Sequence, residues 1–209
     1  MRLATMHISA IAVALAVVLA AGAAQAQTKV ADVIALKCTT FVTSGGKTQA
    51  LAIGGPIYQG DQLRSTAGCG AKLRFTDGST LAIGENTVMT MHTYAQQGAT
   101  ARAIFEMSGG IFRAIVSPLA GDAVFAVRTP TAVAAVRSTD WMLAAKADLT
   151  EVFVGEGAVA VRSLNPAITA EVMLLQGDGT DVKPNEPPLS ARKCGPPRIK
   201  AFQDRTAID

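Results

Sequence analysis

Through most of this chain apolar residues alternate with polar ones at the two-residue period that puts every second side chain on one face of a strand. Ala71, Leu73 and Phe75 alternate with Lys72 and Arg74, and Asp77-Gly78 follows at once, a strong hairpin signal. Leu81 and Ile83 begin the return, Gly84-Glu85-Asn86 turns it, and Val88 to Met91 resumes. Upstream, Val30 to Val42 reads as one apolar strand closed by Ser44-Gly45-Gly46-Lys47, and Gly60-Asp61 predicts a further turn. Tyr94 to Thr100 is small and polar, the composition of a surface loop. Arg102 to Ser108 fits helix or strand; Gly109-Gly110 ends it, and Ile111 to Val116 reads as another strand.

The stretch from Gly121 to Val161 organises the rest. Gly121-Asp122 opens it, Thr129-Pro130 breaks it, and Val152, Val154, Val159 and Val161 keep strand spacing around Gly155 and Gly157. Proline enforces such a break because it lacks an N–H and pushes the preceding residue towards extended geometry. A last hairpin is suggested by Glu171 to Leu175 with Gly177-Asp178-Gly179. Recurrent Gly/Asp turns between short strands predict an all-β fold, a short-stranded β-sandwich or a solenoid-like stack. No strict fixed-length repeat accompanies them. From Lys183 the chain is Pro-rich and basic, and residues 183–209 are expected to form an irregular tail, solvated or touching anionic surfaces.

The beginning of the chain has a different character. Arg2, an apolar run from Ile8 to Ala21 and Ala24-Gln25-Ala26 together read as a cleavable signal peptide over residues 1–26, an uncleaved anchor being the alternative. The mature domain then spans 27–182, and its expected location is periplasmic or secreted, with no membrane span after cleavage. Losing Arg2 lowers the formal charge from +3 to +2, too little to argue for nucleic acid.

Candidate chemistry is sparse. Three cysteines in an oxidising compartment allow one bond and one free thiol, with three possible pairings. Cys69 sits between Gly68 and Gly70 in a turn and Cys194 lies in the tail, whereas Cys38 reads as a buried strand residue. The expected bond is therefore Cys69–Cys194, pinning the tail to the domain. No CxxC or Cys/His spacing suggests a metal, and no cofactor is expected. A serine-type triad would need His92 with Ser79 and Asp77, but these last two read as a hairpin turn. Asp61, Asp77, Asp140, Glu156 and Asp178 all lie near turns, which explains them without carboxylate catalysis. Gly109-Gly110 lacks the Lys-Ser/Thr of a phosphate loop. Trp141 reads as core beside Met142 and Leu143, a ligand-stacking platform being the alternative. Arg137, inside an apolar strand, is expected to pair with Asp140; a carboxylate-recognising patch for a partner is the other possibility.

Several short motifs stand in a telling order. They are Gly60-Asp61-Gln62-Leu63-Arg64-Ser65-Thr66, Ala71 to Phe75 with Asp77-Gly78-Ser79, Gly84-Glu85-Asn86 and Gly110-Ile111-Phe112. Val127-Arg128-Thr129-Pro130, Val136-Arg137-Ser138-Thr139-Asp140 and Val154-Gly155-Glu156-Gly157-Ala158-Val159 complete the series. This order resembles the FecR domain, the periplasmic sensing domain of iron-siderophore transport regulators, over roughly Val30 to Val182. Thr129, Pro130, Arg137, Thr139, Asp140 and Gly157 are the motif positions, with Ser138 where that family usually has glycine. The resemblance implies a non-enzymatic binding or signalling module that contacts a cell-envelope protein. A carbohydrate- or surface-binding structural domain is the alternative. A signal peptide where classical regulators carry a cytoplasmic sigma-binding region implies that this chain does not itself signal across the inner membrane.

Overall fold

Three strands are far longer than the alternation of turns predicts, and they decide the architecture. The computed structural model describes residues 27–97, 100–118 and 124–208; the expected leader and the Gly121-Asp122 turn lie outside the described residues. The short strands are β1 (Lys29–Leu36), β2 (Phe41–Ser44), β3 (Lys47–Ala50), β4 (Pro56–Tyr58), β5 (Gln62–Arg64), β6 (Ala71–Phe75) and β7 (Thr80–Ile83). β8 (Val88–Gln97) follows, then β9 (Thr100–Val116), β10 (Val124–Arg128), β11 (Ala132–Ala145) and β12 (Thr150–Ser163). β13 (Glu171–Leu175), β14 (Asp178–Val182), β15 (Arg192–Lys193) and a helix, α1 (Pro196–Thr206), complete the chain. The fold is all-β, as expected.

Each long strand changes neighbours halfway. β9 pairs β8 and β10 through its first half, but β7 and β11 through its second. β11 pairs β10 up to Val136 and β9 from Thr139. β12 pairs β14 through Thr150–Phe153 and β13 through Ala158–Arg162. One continuous sheet is thereby folded into two layers. The first runs β3-β2-β5-β8-β9-β10-β11-β12-β13, and the second runs β4-β1-β6-β7-β9-β11-β12-β14-β15.

The folding points are local and chemical. Gly110 has φ 108°, and a Cβ there would collide with Thr87. Gly157 has φ +85°, and a Cβ there would strike the Ser138 carbonyl across a bulge in β11. Only glycine enters such backbone cheaply. Ser138 itself does not have a positive φ, so serine fits where the resembling family has glycine.

Between the layers lies one apolar core, threaded by aromatic rings. Phe75 meets Phe105 at 5.6 Å, Phe105 meets Phe125 at 4.6 Å, and Trp141 takes up Phe125 at 6.3 Å and Phe112 at 4.9 Å. Trp141 is wholly buried, so it is a core residue and not a stacking platform. Leu143 shares that core, whereas Met142 points outward from the second layer.

Several expectations are corrected. Val30 to Val42 is two strands, broken at Lys37-Cys38. Tyr94 to Gln97 extends β8 instead of looping, and Arg102 to Val116 is one bent strand instead of two elements. Glu171–Leu175 and Asp178–Val182 are not a hairpin. Each pairs a different half of β12, because β12 belongs to both layers.

The expected Cys69–Cys194 bond is also overturned. Cys69 is bonded to Cys38, with Cα atoms 5.1 Å apart, and Cys194 is free. The bend after β1 makes this possible: Lys37 N–H donates to the Gly70 carbonyl at 3.0 Å, laying Cys38 over the Cys69 turn.

The tail is ordered. Pro196 and Pro197 occupy the first helical turn, where a missing N–H costs nothing. An isolated helix of 11 residues is marginal in water. Tertiary contact holds this one: Phe202 and Ile199 pack on Ile111, Met142, Ala144 and Phe153 of the second layer. Arg198 bonds both Glu151 and Asp181, and Arg205 reaches Glu85 at 3.4 Å.

Candidate partner-binding face

Alternation along β9 to β13 sorts side chains between core and solvent. Phe105, Phe125, Val127, Ala134, Val136, Val159, Val161 and Leu174 point into the core. Their neighbours point out from the first layer, and pairing aligns them in a row: Ile104, Ala126, Ala135, Ala160, Met173. Val124, Ala158 and Leu175 extend this apolar strip along the strands. A groove of about 350 Å³ runs over it, floored by Ala135, Ala158 and Ala160 and walled by Val124 and Met173. Met173 is 55% exposed and Leu175 57%, so nothing described in the chain covers this face.

Arginines close both ends of the strip. One end carries the aligned row Glu106, Arg128, Val133, Arg162, Glu171. At the other, Arg102 pairs with Val124, and Arg137 lines the groove itself. All four arginines are exposed. None has an ion-pair partner among the described residues. The face is therefore apolar at its centre with two arginines at each end, and at one end Glu106 and Glu171 flank the arginines on the outermost strands.

The motif residues fall into two groups. Thr129 and Pro130 form the turn from β10 to β11. Thr129 Oγ1 accepts from the Ala132 N–H at 2.9 Å and meets Thr150 Oγ1 at 2.7 Å. Thr131 donates to the Val182 carbonyl at 2.9 Å, so a buried threonine cluster ties β10, β12 and β14 together. Thr139 is buried and donates to the Ala158 carbonyl at 3.0 Å across the bulge that Gly157 permits. These are structural positions.

Arg137 and Asp140 are not paired. Asp140 is held by Arg113 of β9 in a two-pronged contact, Nε to Oδ1 at 2.9 Å and Nη2 to Oδ2 at 2.6 Å. That hydrogen bonding raises the Arg113 guanidinium above its ordinary value. The bulge at Arg137-Ser138 is the reason: it sets Arg137 on the first-layer face, while Asp140 lies on the outside of the second layer.

No catalytic constellation appears at the residues weighed for one. His92 is exposed on β8. Ser79 is buried, its N–H donating to Asp77 Oδ1 at 2.8 Å and its Oγ accepting from the Ser117 N–H at 3.0 Å. Asp61 Oδ2 accepts from the Tyr58 N–H at 2.8 Å. Lys193, with the Leu175 N–H, holds the Asp178 carboxyl below its usual range. Among the described residues no group of three or more His, Cys, Asp or Glu could hold a metal. Burial pushes the Cys194 thiol up, away from the reactive thiolate. No described helix is long and apolar enough to cross a membrane.

Sequence reading singled out Arg137 but missed Arg102, Arg128 and Arg162. The signal was present in the outward set of strands assigned from their inward set: Val124, Ala126 and Arg128 in β10, and Ala158, Ala160 and Arg162 in β12.

Comparison with known proteins adds a match to part of a family's pattern and a likeness of fold. Residues 61–160 match the family model described as FecR protein, a segment that runs from β5 into β12. No curated protein matches the chain. Two crystal structures of a candidate anti-sigma factor from Parabacteroides distasonis ATCC 8503 are similar, at 20% identity and TM-scores of 0.55 and 0.54. Each similarity covers 68% of this chain and 63% of the other, less than two thirds of the solved protein. At this identity the likeness speaks to fold.

Proposed function

We propose, from the premise that residues 61–160 form a FecR domain, that this chain is an exported, non-enzymatic module that acts in envelope signalling by binding another protein. The observation that carries the reading is the first-layer face that no described residue covers, an apolar strip with four arginines at its ends that have no ion-pair partner among the described residues. Soluble domains cover or avoid contiguous apolar surface, and where it persists it marks interaction sites. Arginine at such a margin suits carboxylate partners, since its planar fork engages them bidentately.

The residues weighed for catalysis support the same reading from the other side, since each is committed to a turn or a structural bond or stands alone. The test is a crosslinking pull-down of the mature chain from extracts of the envelope that contains it, with mass spectrometry of the captured proteins. Recovery of a single envelope regulator or receptor is expected. A blank from protein shown folded by circular dichroism would sink the reading.

A further inference from the structure

We infer that the first-layer groove receives an amphipathic helix of the partner whose apolar face is flanked at both ends by carboxylates. This rests on the protein-binding reading above and specifies the partner's chemistry. Dimensions come first. Ala126, Ala135 and Ala160 lie on three adjacent strands. At the usual strand spacing the outer two are about 10 Å apart, the diameter of one helix with its side chains. Met173, on the strand beyond Ala160, lines the groove on that side, and Ile104 lies on the strand beyond Ala126.

Charge fixes the ends. Arg128 and Arg162 share the middle of one row, with Glu106 and Glu171 outside them; Arg102 and Arg137 stand at the opposite end. Arg128 and Val124, the partner of Arg102, are four residues apart on β10, about 13 Å of strand. That length corresponds to about nine residues of helix. Complementary carboxylates are therefore expected about nine residues apart, bracketing about two turns of apolar i, i+3, i+4, i+7 spacing.

The molecule contains its own precedent. On the opposite outer face, α1 lays Ile199 and Phe202 on the sheet and binds its rim through Arg198 to Glu151 and Asp181. There the helix is basic and the rim acidic. On the open face the sheet supplies the arginines, so the incoming helix must supply the acid.

The experiment places the photo-crosslinker p-benzoylphenylalanine at Ala160, and at exposed Gln49 on β3 as control, in the full chain made by its own cells. Crosslinks are expected from the Ala160 position only, to a peptide of one other protein with the apolar spacing and paired carboxylates described. Arg128→Glu with Arg162→Glu, both exposed, is expected to cut crosslink yield at least tenfold while leaving the thermal melt unchanged. The inference is overturned if the Ala160 position captures a second copy of this chain, or a peptide without carboxylates, or nothing while the pull-down still recovers a partner. That last result would leave the binding reading standing and move the contact elsewhere, for example to the free edge of β13. A blank pull-down would remove both.

Discussion

The three long strands β9, β11 and β12 run through both outer faces of this sandwich, yet one face is covered and the other is open. On the second layer, Ile111, Met142, Ala144 and Phe153 lie under α1 and are buried. On the first, Ala126, Ala135 and Ala160 lie under nothing described. Residue size explains how both faces coexist in one chain. Methionine and phenylalanine side chains left in water would each forfeit about 1.5–3 kcal/mol of burial, so the chain supplies its own helix. Alanines exposed to water cost little and keep the surface flat enough for a helix to approach. The large outward residues Ile111, Met142 and Phe153 thus lie under α1, whereas the open strip is alanine at its centre, with Met173 and Leu175 exposed along its edge strand.

The sharpest way to break the comparison is to uncover the closed face. Phe202 is 4% exposed and stacks on Phe153 with centroids 6.5 Å apart. Phe202→Ala is expected to weaken α1 docking by about 3–5 kcal/mol, as a local opening of the helix instead of global unfolding. Hydrogen exchange should show α1 amides losing protection while β11 keeps its own. Cys194, whose thiol burial holds protonated, should alkylate faster in the same variant. Protection that falls equally throughout would mean that the helix belongs to the main core.

Next in size is the clamp at the far end of that helix. The Cys38–Cys69 bond holds the turn against which the last residues pack: a Cβ on Gly70 would strike the Ile208 side chain. Replacing both cysteines by alanine is expected to cost about 2–4 kcal/mol, read from thermal melts with and without reductant. The open face should be indifferent, and the Ala160 crosslink should persist.

Strand identity and turns were largely legible in the sequence, because alternation and Gly/Asp signals act over a few residues. Ala71–Phe75 with Asp77-Gly78 folds as read, a strand and its hairpin turn. Pairings that depend on the bends were not legible. Nothing local says that β12 serves two layers, and turn signals alone predict β13 and β14 as partners of each other. The disulfide failed for the same reason, since the bend at Lys37-Cys38 is a tertiary event. The tail was a different failure. Gly195-Pro196-Pro197 followed by Ile199, Phe202 and Thr206 is helix-start chemistry with a helical stripe, and proline content concealed it. The open face was half legible: the alternation that assigned the core implies an outward set, but only pairing aligns Ala126, Ala135 and Ala160 into one surface.

Acid should distinguish the two faces with a smaller effect. The covered side is fastened partly by carboxylates, among them Asp178, whose pKa is lowered from 3.8 by the Lys193 hydrogen bond and then by the Leu175 N–H. A depressed carboxyl means that the unfolded chain binds more protons between the two values. Its contribution is thus complete above the unfolded value and is lost as pH falls through the folded one. The pair is largely exposed on the lysine side, so the effect should stay below about 1 kcal/mol. Melts of Asp178→Asn against the parent chain should differ at pH 6, and the gap should begin to narrow only as pH falls below about 4. A gap that stays the same size however far the pH is lowered would assign the loss to packing.

The smallest expected effect falls on the open face. Met173 lies on an edge strand and is 55% exposed, so it gives up little apolar area to the folded chain. Met173→Ser should change stability by no more than about 0.5 kcal/mol, measured by chemical denaturation. Binding should respond differently, because this side chain forms one wall of the groove and loses most of its exposed surface when a helix is seated there. Weaker Ala160 crosslinking with an unchanged denaturation midpoint is therefore the signature of a surface kept for another molecule. A loss of stability above about 1 kcal/mol would mean that part of this chain already packs on Met173, and the contrast between a closed and an open face would disappear.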